Sequence, residues 1–209
     1  DAQESRGLGD VYKRQGADDI IRCTKNGKRK LAIIKVASAC LIVGMLYLLC
    51  GITWIVVTNS LFGWEGTKTS IQLSFSVTTL LPYNVGQLQW ANLLGGFLLF
   101  LSAICFTLLL SSLAKSNVSA LALALLFVLL PFLVYTVMPG QLGDWLQTLL
   151  PGAGIGLGNS LLYAMTNFDF LHLGSASFWN TDVMLMLALV KIPLFIMFTI
   201  VVYDRKRIR

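Results

Sequence analysis

The chain has 209 residues, 56% of them hydrophobic and only 12% charged, with a formal net charge of +6. Soluble domains carry about 25% charged residues, so this composition, with its mean hydropathy of +0.74, excludes an ordinary water-soluble domain and predicts an integral membrane protein. The positive balance does not make a nucleic-acid surface: Arg22, Lys25, Lys28, Arg29 and Lys30 precede the first apolar run and Arg205, Lys206, Arg207 and Arg209 follow the last, the flanking pattern of the positive-inside rule.

Residues 1–15, "DAQESRGLGDVYKRQ", are polar, interrupted by glycine and unlike everything after them. They resemble a translated sequencing-adapter tail, of the kind found at the broken ends of proteins assembled from environmental reads. They are therefore expected to be non-native and are left out of fold reasoning. The rest is expected to be a C-terminal fragment.

Residues 16–30 combine a short amphipathic helix with a basic flank. Ala17, Ile20, Ile21 and Thr24 fall at i, i+3, i+4 and i+7 on one helical face. Asp18 is spaced to pair with Arg22, and acids lead while bases trail, as the helix dipole favours. Asn26-Gly27 reads as its stop. An interfacial anchor is the plainer role; a docking surface for a partner is the sharper one.

From residue 31 onward the chain reads as a transmembrane domain. A helix needs about 20 apolar residues to cross a ~30 Å hydrocarbon core, and segments near 31–58, 90–113, 118–137 and 183–203 meet that length. The runs are continuous rather than alternating, so they predict helices and an all-α membrane fold. Placing residues 16–30 in the cytoplasm puts 59–89 and 138–182 outside and both "SSLAKSN" and "YDRKRIR" inside. All dense cation clusters then share one side, and the C-terminus is cytoplasmic. Trp64, Trp90, Trp145 and Trp179 fall near the outer interface and Tyr203 near the inner one, as an aromatic belt requires.

The outer stretch 141–165 is apolar but broken by Pro151, Gly152, Gly154, Gly156 and Gly158. It predicts a re-entrant or interfacial helix pair, because broken backbone at membrane depth is tolerated where protein or water covers it. Its glycines do not match GxGxxG, and no Lys-Ser/Thr follows to make a phosphate loop. Small residues recur on the spans. Ala37, Gly44 and Gly51 repeat every seven residues and Gly95-Gly96 open a second face, which permits close helix approach in lipid.

Few residues could carry chemistry. Cys23, Cys40, Cys50 and Cys105 form no CxxC, and three of them lie in apolar runs as small hydrophobes. His172 is a lone histidine in an outer segment, Asp144, Asp169 and Asp182 are unpaired in sequence, and no HExxH, GxSxG or paired-carboxylate pattern occurs. No enzyme, metal or cofactor is expected. Lys35 is near enough to the inner end of its helix to snorkel. Lys191 lies near the middle of the last span, where an ion costs ~2.5–3.5 kcal/mol on insertion scales, with Pro193 two residues on to kink the helix. It is either a polar contact in a transport path or interface, or a long side chain reaching water.

The succession of parts is more specific than any one motif. "DDIIRCTKNGKRKLAIIK" leads into a span, "PYNVGQLQWANLLGGFLLFLSAICFTLLLSSLAKSNVSALALALLFVLLP" forms a hairpin, and an "LLP"-containing re-entrant segment precedes a final span ending "YDRKRIR". Across residues 16–209 this resembles the type-two permeases of ATP-binding cassette (ABC) exporters. The resemblance implies six spans, of which the first two would be missing here. It implies that residues 17–25 form a coupling helix, with Asp18, Asp19, Arg22 and Lys25 facing a separate ATPase. It also implies a second permease subunit, homo- or heterodimeric, in a bacterial plasma membrane, and export of a drug, peptide, lipid or similar substrate. The absence of GxxxxGK[ST] agrees with ATP hydrolysis on another chain. Two other readings compete: an ion-coupled carrier using Lys191, and a non-transporting membrane scaffold or immunity protein.

Overall fold

The computed structural model describes residues 27–74, 79, 81–114, 116–156 and 160–205. In chain order it contains α1 (Gly27–Phe62), a 3-10 turn (Trp64–Lys68), α2 (Ile71–Ser74), α3 (Val85–Leu113), α4 (Asn117–Val137), α5 (Gln141–Leu149), α6 (Leu161–Thr166), β1 (Phe170–Leu173), β2 (Ala176–Trp179) and α7 (Asn180–Arg205). Four of these helices are long and apolar enough to cross a membrane, over Ala32–Phe62, Val85–Leu113, Val118–Val137 and Asn180–Asp204. The chain is a mostly helical, multi-pass membrane protein.

The span boundaries differ from the sequence expectation where polar residues belong to the helix. The second span starts at Val85 rather than near Trp90, because Gln87 accepts the Asn84 backbone N–H at 3.0 Å and so closes the first turn. The first span, Ala32–Phe62, starts beside the expected residue 31, and Lys28, Arg29 and Lys30 lie in the helical residues that lead into it.

The two ends of the bundle are chemically unlike. At one, Arg29 pairs with Asp204 at 2.9 Å, and the start of α1, the end of α3 and the end of α7 meet around a recess of ≈ 330 Å³ lined by Lys35, Leu108, Ser111 and Tyr203 among others. This is the basic end. At the other, Thr67 packs on Gly86, Ser70 bridges to Asn84, and a buried cluster of Ile71, Leu81, Leu88, Leu161, Met165 and Met184 ties the loops to the starts of α3 and α7. This is the capped end. Trp64 and Trp90 are exposed there.

Helix α3 is central and packs on α1, α4 and α7. The small-residue pattern explains its contact with α1. A Cβ on Gly51 would sit 2.2 Å from Leu93, one on Gly44 3.1 Å from Phe97, and one on Gly96 2.3 Å from the Tyr47 hydroxyl. Each helix therefore lends a glycine to the other's side chain. Ala37 is exposed instead. A strict seven-residue repeat drifts ~20° per heptad on a straight helix, which carries the third member of the stripe off the interface.

The β1–β2 hairpin is an addition to the all-helical expectation. Leu173 pairs with Ala176 across a two-residue loop of Gly174 and Ser175, with Gly174 at φ 62°. Positive φ at the first loop residue alone is the tight-hairpin geometry that glycine supplies.

Candidate functional site

The predicted coupling residues Asp18, Asp19, Arg22 and Lys25 lie outside the described residues. The nearest described contacts are the Arg29–Asp204 pair and Lys35, whose ammonium stands 5.8 Å from the Tyr203 ring centre. They tie the first and last spans together at the basic end.

Lys191 has a definite place. Helix α5 starts beside β1, where the Gln141 amide and the Trp145 indole N–H both donate to the His172 carbonyl, the latter at 2.8 Å. It ends against α7, where Lys191 Nζ donates to the carbonyls of Thr148 at 3.2 Å and Leu150 at 3.0 Å. The last carbonyls of a helix have no intrahelical donor and carry the negative end of its dipole. A cation there satisfies both demands. Lys191 lies 11 residues past Asn180, the first residue of α7, which is about 16 Å along a helix axis. The end of α5 therefore lies deep against the last span.

The turn after α5 inserts against the other spans. Pro131, inside α4, has no N–H to give the Phe127 carbonyl. Gly152 lies at this point: a Cβ there would come 2.8 Å from the Val128 carbonyl and 3.1 Å from that of Phe127. Gly154, at φ 78°, packs on Leu99 of α3. The chain then returns toward the capped end through α6, held where Trp179 Nε1 donates to Ala164 O at 3.2 Å and Thr79 Oγ1 to Thr166 O at 3.0 Å.

A chain of polar contacts joins α5 to the start of α7. Thr148 donates to Asn180 Oδ1 at 3.0 Å, and Asn180 Nδ2 to Asp169 at 2.5 Å. Gln147 Nε2 donates to Asp144 at 3.2 Å. Burial, then the nearby charge of Asp169, push the Asp144 carboxyl above the ordinary carboxylate range, against a smaller opposing pull from His172. The structure thus gathers Asp144 and Asp169, which are unpaired in sequence. His172 stays exposed, with Nδ1 2.8 Å from Ser177 Oγ.

A second candidate is a cleft of ≈ 410 Å³ between α1 and α3, lined by Tyr47, Trp54, Leu88, Gln89, Asn92 and Leu162 among others. Above it Asn59 and Gln89 exchange amide hydrogen bonds at 3.0 and 3.2 Å. Neither amide stands out in the sequence. By sequence both fall just beyond the ends of the expected spans, at 59 and 89, and nothing in their spacing pairs them.

Among the described residues no group of three or more His, Cys, Asp or Glu is placed to hold a metal ion. In comparisons with models of known families, with curated proteins and with solved structures, the chain finds no match.

Proposed function

We propose that the chain is the membrane-spanning permease subunit of an ABC exporter, driven by a separate ATPase and working beside a second permease. On this reading the basic end faces the cytoplasm of a bacterial cell, the C-terminus is cytoplasmic, and α5 and α6 form a re-entrant pair dipping in from outside. The observation that carries the reading is the depth of α5. It enters beside the hairpin and is tied to the middle of the last span by Lys191. Irregular backbone such as the turn at Gly152–Gly154, which is buried, is tolerated at that depth only when protein covers it. The covering here comes from α3, α4 and α7.

The mechanism follows from rigid packing. Closure of the ATPase would push the amphipathic segment 17–25, and α1, tied to α7 by Arg29 and Asp204, would carry that movement into the bundle. Work is transmitted only if the two states differ in their contacts with the partner. The test is charge reversal at Asp18, Asp19 and Arg22, with Lys25→Glu, in the chain reconstituted with the ATPase encoded beside it. Loss of ATPase association and of transport-coupled hydrolysis is expected, and wild-type behaviour in both overturns the assignment.

The carrier reading is less well supported, because the Lys191 ammonium is committed to two backbone carbonyls. A carrier would move substrate without an ATPase and stop on Lys191→Ala. A scaffold or immunity protein would form complexes without flux, so the same reconstitution separates all three.

A further inference from the structure

At the capped end, α4, α5, α6 and the segment after α6 enclose a cavity of ≈ 110 Å³ walled by Tyr135, Asp144, Gln147, Tyr163, Asn167 and Asp169, with Phe168 as its apolar side. Every wall residue but the last carries a side-chain oxygen. Gln147 is only 4% exposed, and its Oε1 has no hydrogen-bond partner among the described residues. The amide cannot be turned around to cure this: its Nε2 donates to Asp144 Oδ1, and a flip would set oxygen against a carboxylate. The buried, unpartnered oxygen therefore awaits something positive.

The carboxylates are poised in the same way. Asp144 uses Oδ1 for Gln147, and Asp169 uses Oδ2 for Asn180. The second oxygen of each has no partner among the described residues. Asn167 spends its Nδ2 on the Tyr163 carbonyl at 3.0 Å, which leaves its own oxygen as an acceptor. No histidine or cysteine lines the cavity, so the donor set is oxygen alone. That selects a hard cation over a transition metal.

Size and geometry narrow the choice. A water occupies about 30 Å³, so the space suits one ion with two or three waters. Magnesium insists on a near-ideal octahedron and gives up water reluctantly, whereas calcium accepts six to eight oxygens in irregular array. Ligands drawn from four separate segments favour the tolerant ion.

We propose that this cavity is a calcium site, with Asp144, Asp169 and Gln147 Oε1 as its protein anchors and the tyrosine hydroxyls, Asn167 and water completing the shell. Two carboxylates make a weak site, in the 10⁻⁴–10⁻³ M range on the order of extracellular modules. Bound calcium fastens α5 to the segment between α6 and β1. The proposal does not depend on the permease assignment.

The test uses the full chain purified in detergent, stripped with EGTA and titrated with calcium chloride. Melting temperature and tryptophan emission are read together, since Trp145 adjoins Asp144. A saturable rise with a midpoint of roughly 0.1–1 mM is expected, with a smaller response to magnesium. Asp169→Asn and Asp144→Asn each weaken the midpoint about tenfold or more, while Gln147→Glu, which adds a charged ligand, tightens it. Stripped samples of each variant must elute and melt as folded protein, so that a lost response reports binding. No saturable response of the wild-type chain up to about 10 mM calcium, far above the expected range, overturns the proposal. So does an undiminished response in both Asp→Asn variants, or a response to methylammonium with none to calcium.

Discussion

Lys191, in the middle of the last span, holds the carbonyl of Leu150 at 3.0 Å, one residue past the end of α5. The same ammonium holds Thr148 O at 3.2 Å. The charge therefore serves as a helix cap at membrane depth. It reconciles an expensive residue with an apolar span: Lys191 supplies a donor to Thr148 O and a second one to Leu150 O, which also accepts from the Ala153 N–H at 3.2 Å.

Replacing Lys191 by Met keeps the length of the side chain and removes the donor. Two carbonyls then lose a charge-assisted hydrogen bond, a loss of about 1.5–3 kcal/mol. Denaturation of the purified chain in detergent should show that drop, with Lys191→Arg retaining part of the stability because it still donates. A Lys191→Met protein as stable as wild type would mean that the contact carries no weight.

The Pro151–Gly156 turn gives a sharper contrast. Gly152→Ala would force its Cβ to 2.8 Å from the Val128 carbonyl and 2.9 Å from its Cα. These are backbone atoms of α4 and cannot swing away, so overpacking should cost about 1–3 kcal/mol. Gly156 has nothing within 4 Å of the same position, and Gly156→Ala should leave the melting temperature unchanged. Equal effects at the two sites would contradict the insertion of this turn against α4.

The reciprocal amide pair of Asn59 and Gln89 calls for a double-mutant cycle. Gln89→Ala strands the buried Asn59 amide and Asn59→Ala the half-buried Gln89 amide, whereas changing both removes the demand. Polar pairs in membrane bundles are worth about 0.6–1.7 kcal/mol. The cycle should return a favourable coupling in that range. Strict additivity would show that the two amides do not meet.

Much of this fold is legible in the sequence, and the part that is not has a common cause. Apolar runs of 20 residues or more mark their own helices, and Gly44, Gly51 and Gly96 mark where helices touch. Lys191 stands out as a lone charge. Its partners do not, because they are backbone carbonyls 43 and 41 residues away with no side-chain signature. Asp144 and Asp169 are brought onto one cavity by the return of the chain through α6, a tertiary event that spacing alone does not encode. The hairpin hides for the opposite reason: Gly174-Ser175 is a local turn signal, but each strand is only four residues long, too short for alternation to stand out beside the long apolar runs. The short capping sequence Asn84–Gln87 is masked in the same way by the span that follows it.

The pairing of α1 with α3 can be tested chemically through its thiols. Cys40 Sγ and Cys105 Sγ stand 3.9 Å apart across the interface, while Cys50 is exposed on α1. A disulfide needs ~2.05 Å between sulfurs, so the two thiols must close the remaining gap by side-chain rotation and a small approach of the helices. Cys105 is buried, so labelling follows denaturation: mild oxidation of the folded, detergent-solubilised chain should remove Cys40 and Cys105 together from the maleimide-reactive set of the subsequently denatured protein. Cys50 should stay reactive, and reductant should restore the pair. Cys105→Ala should leave Cys40 labelled under the same oxidant. Because the two thiols lie 65 residues apart, their joint protection would fix the register of the first span against the second. Full labelling of both Cys40 and Cys105 on denaturation of a chain that was oxidised while folded would place the helices in a different register from the one that seats Leu93 on Gly51 and Tyr47 on Gly96.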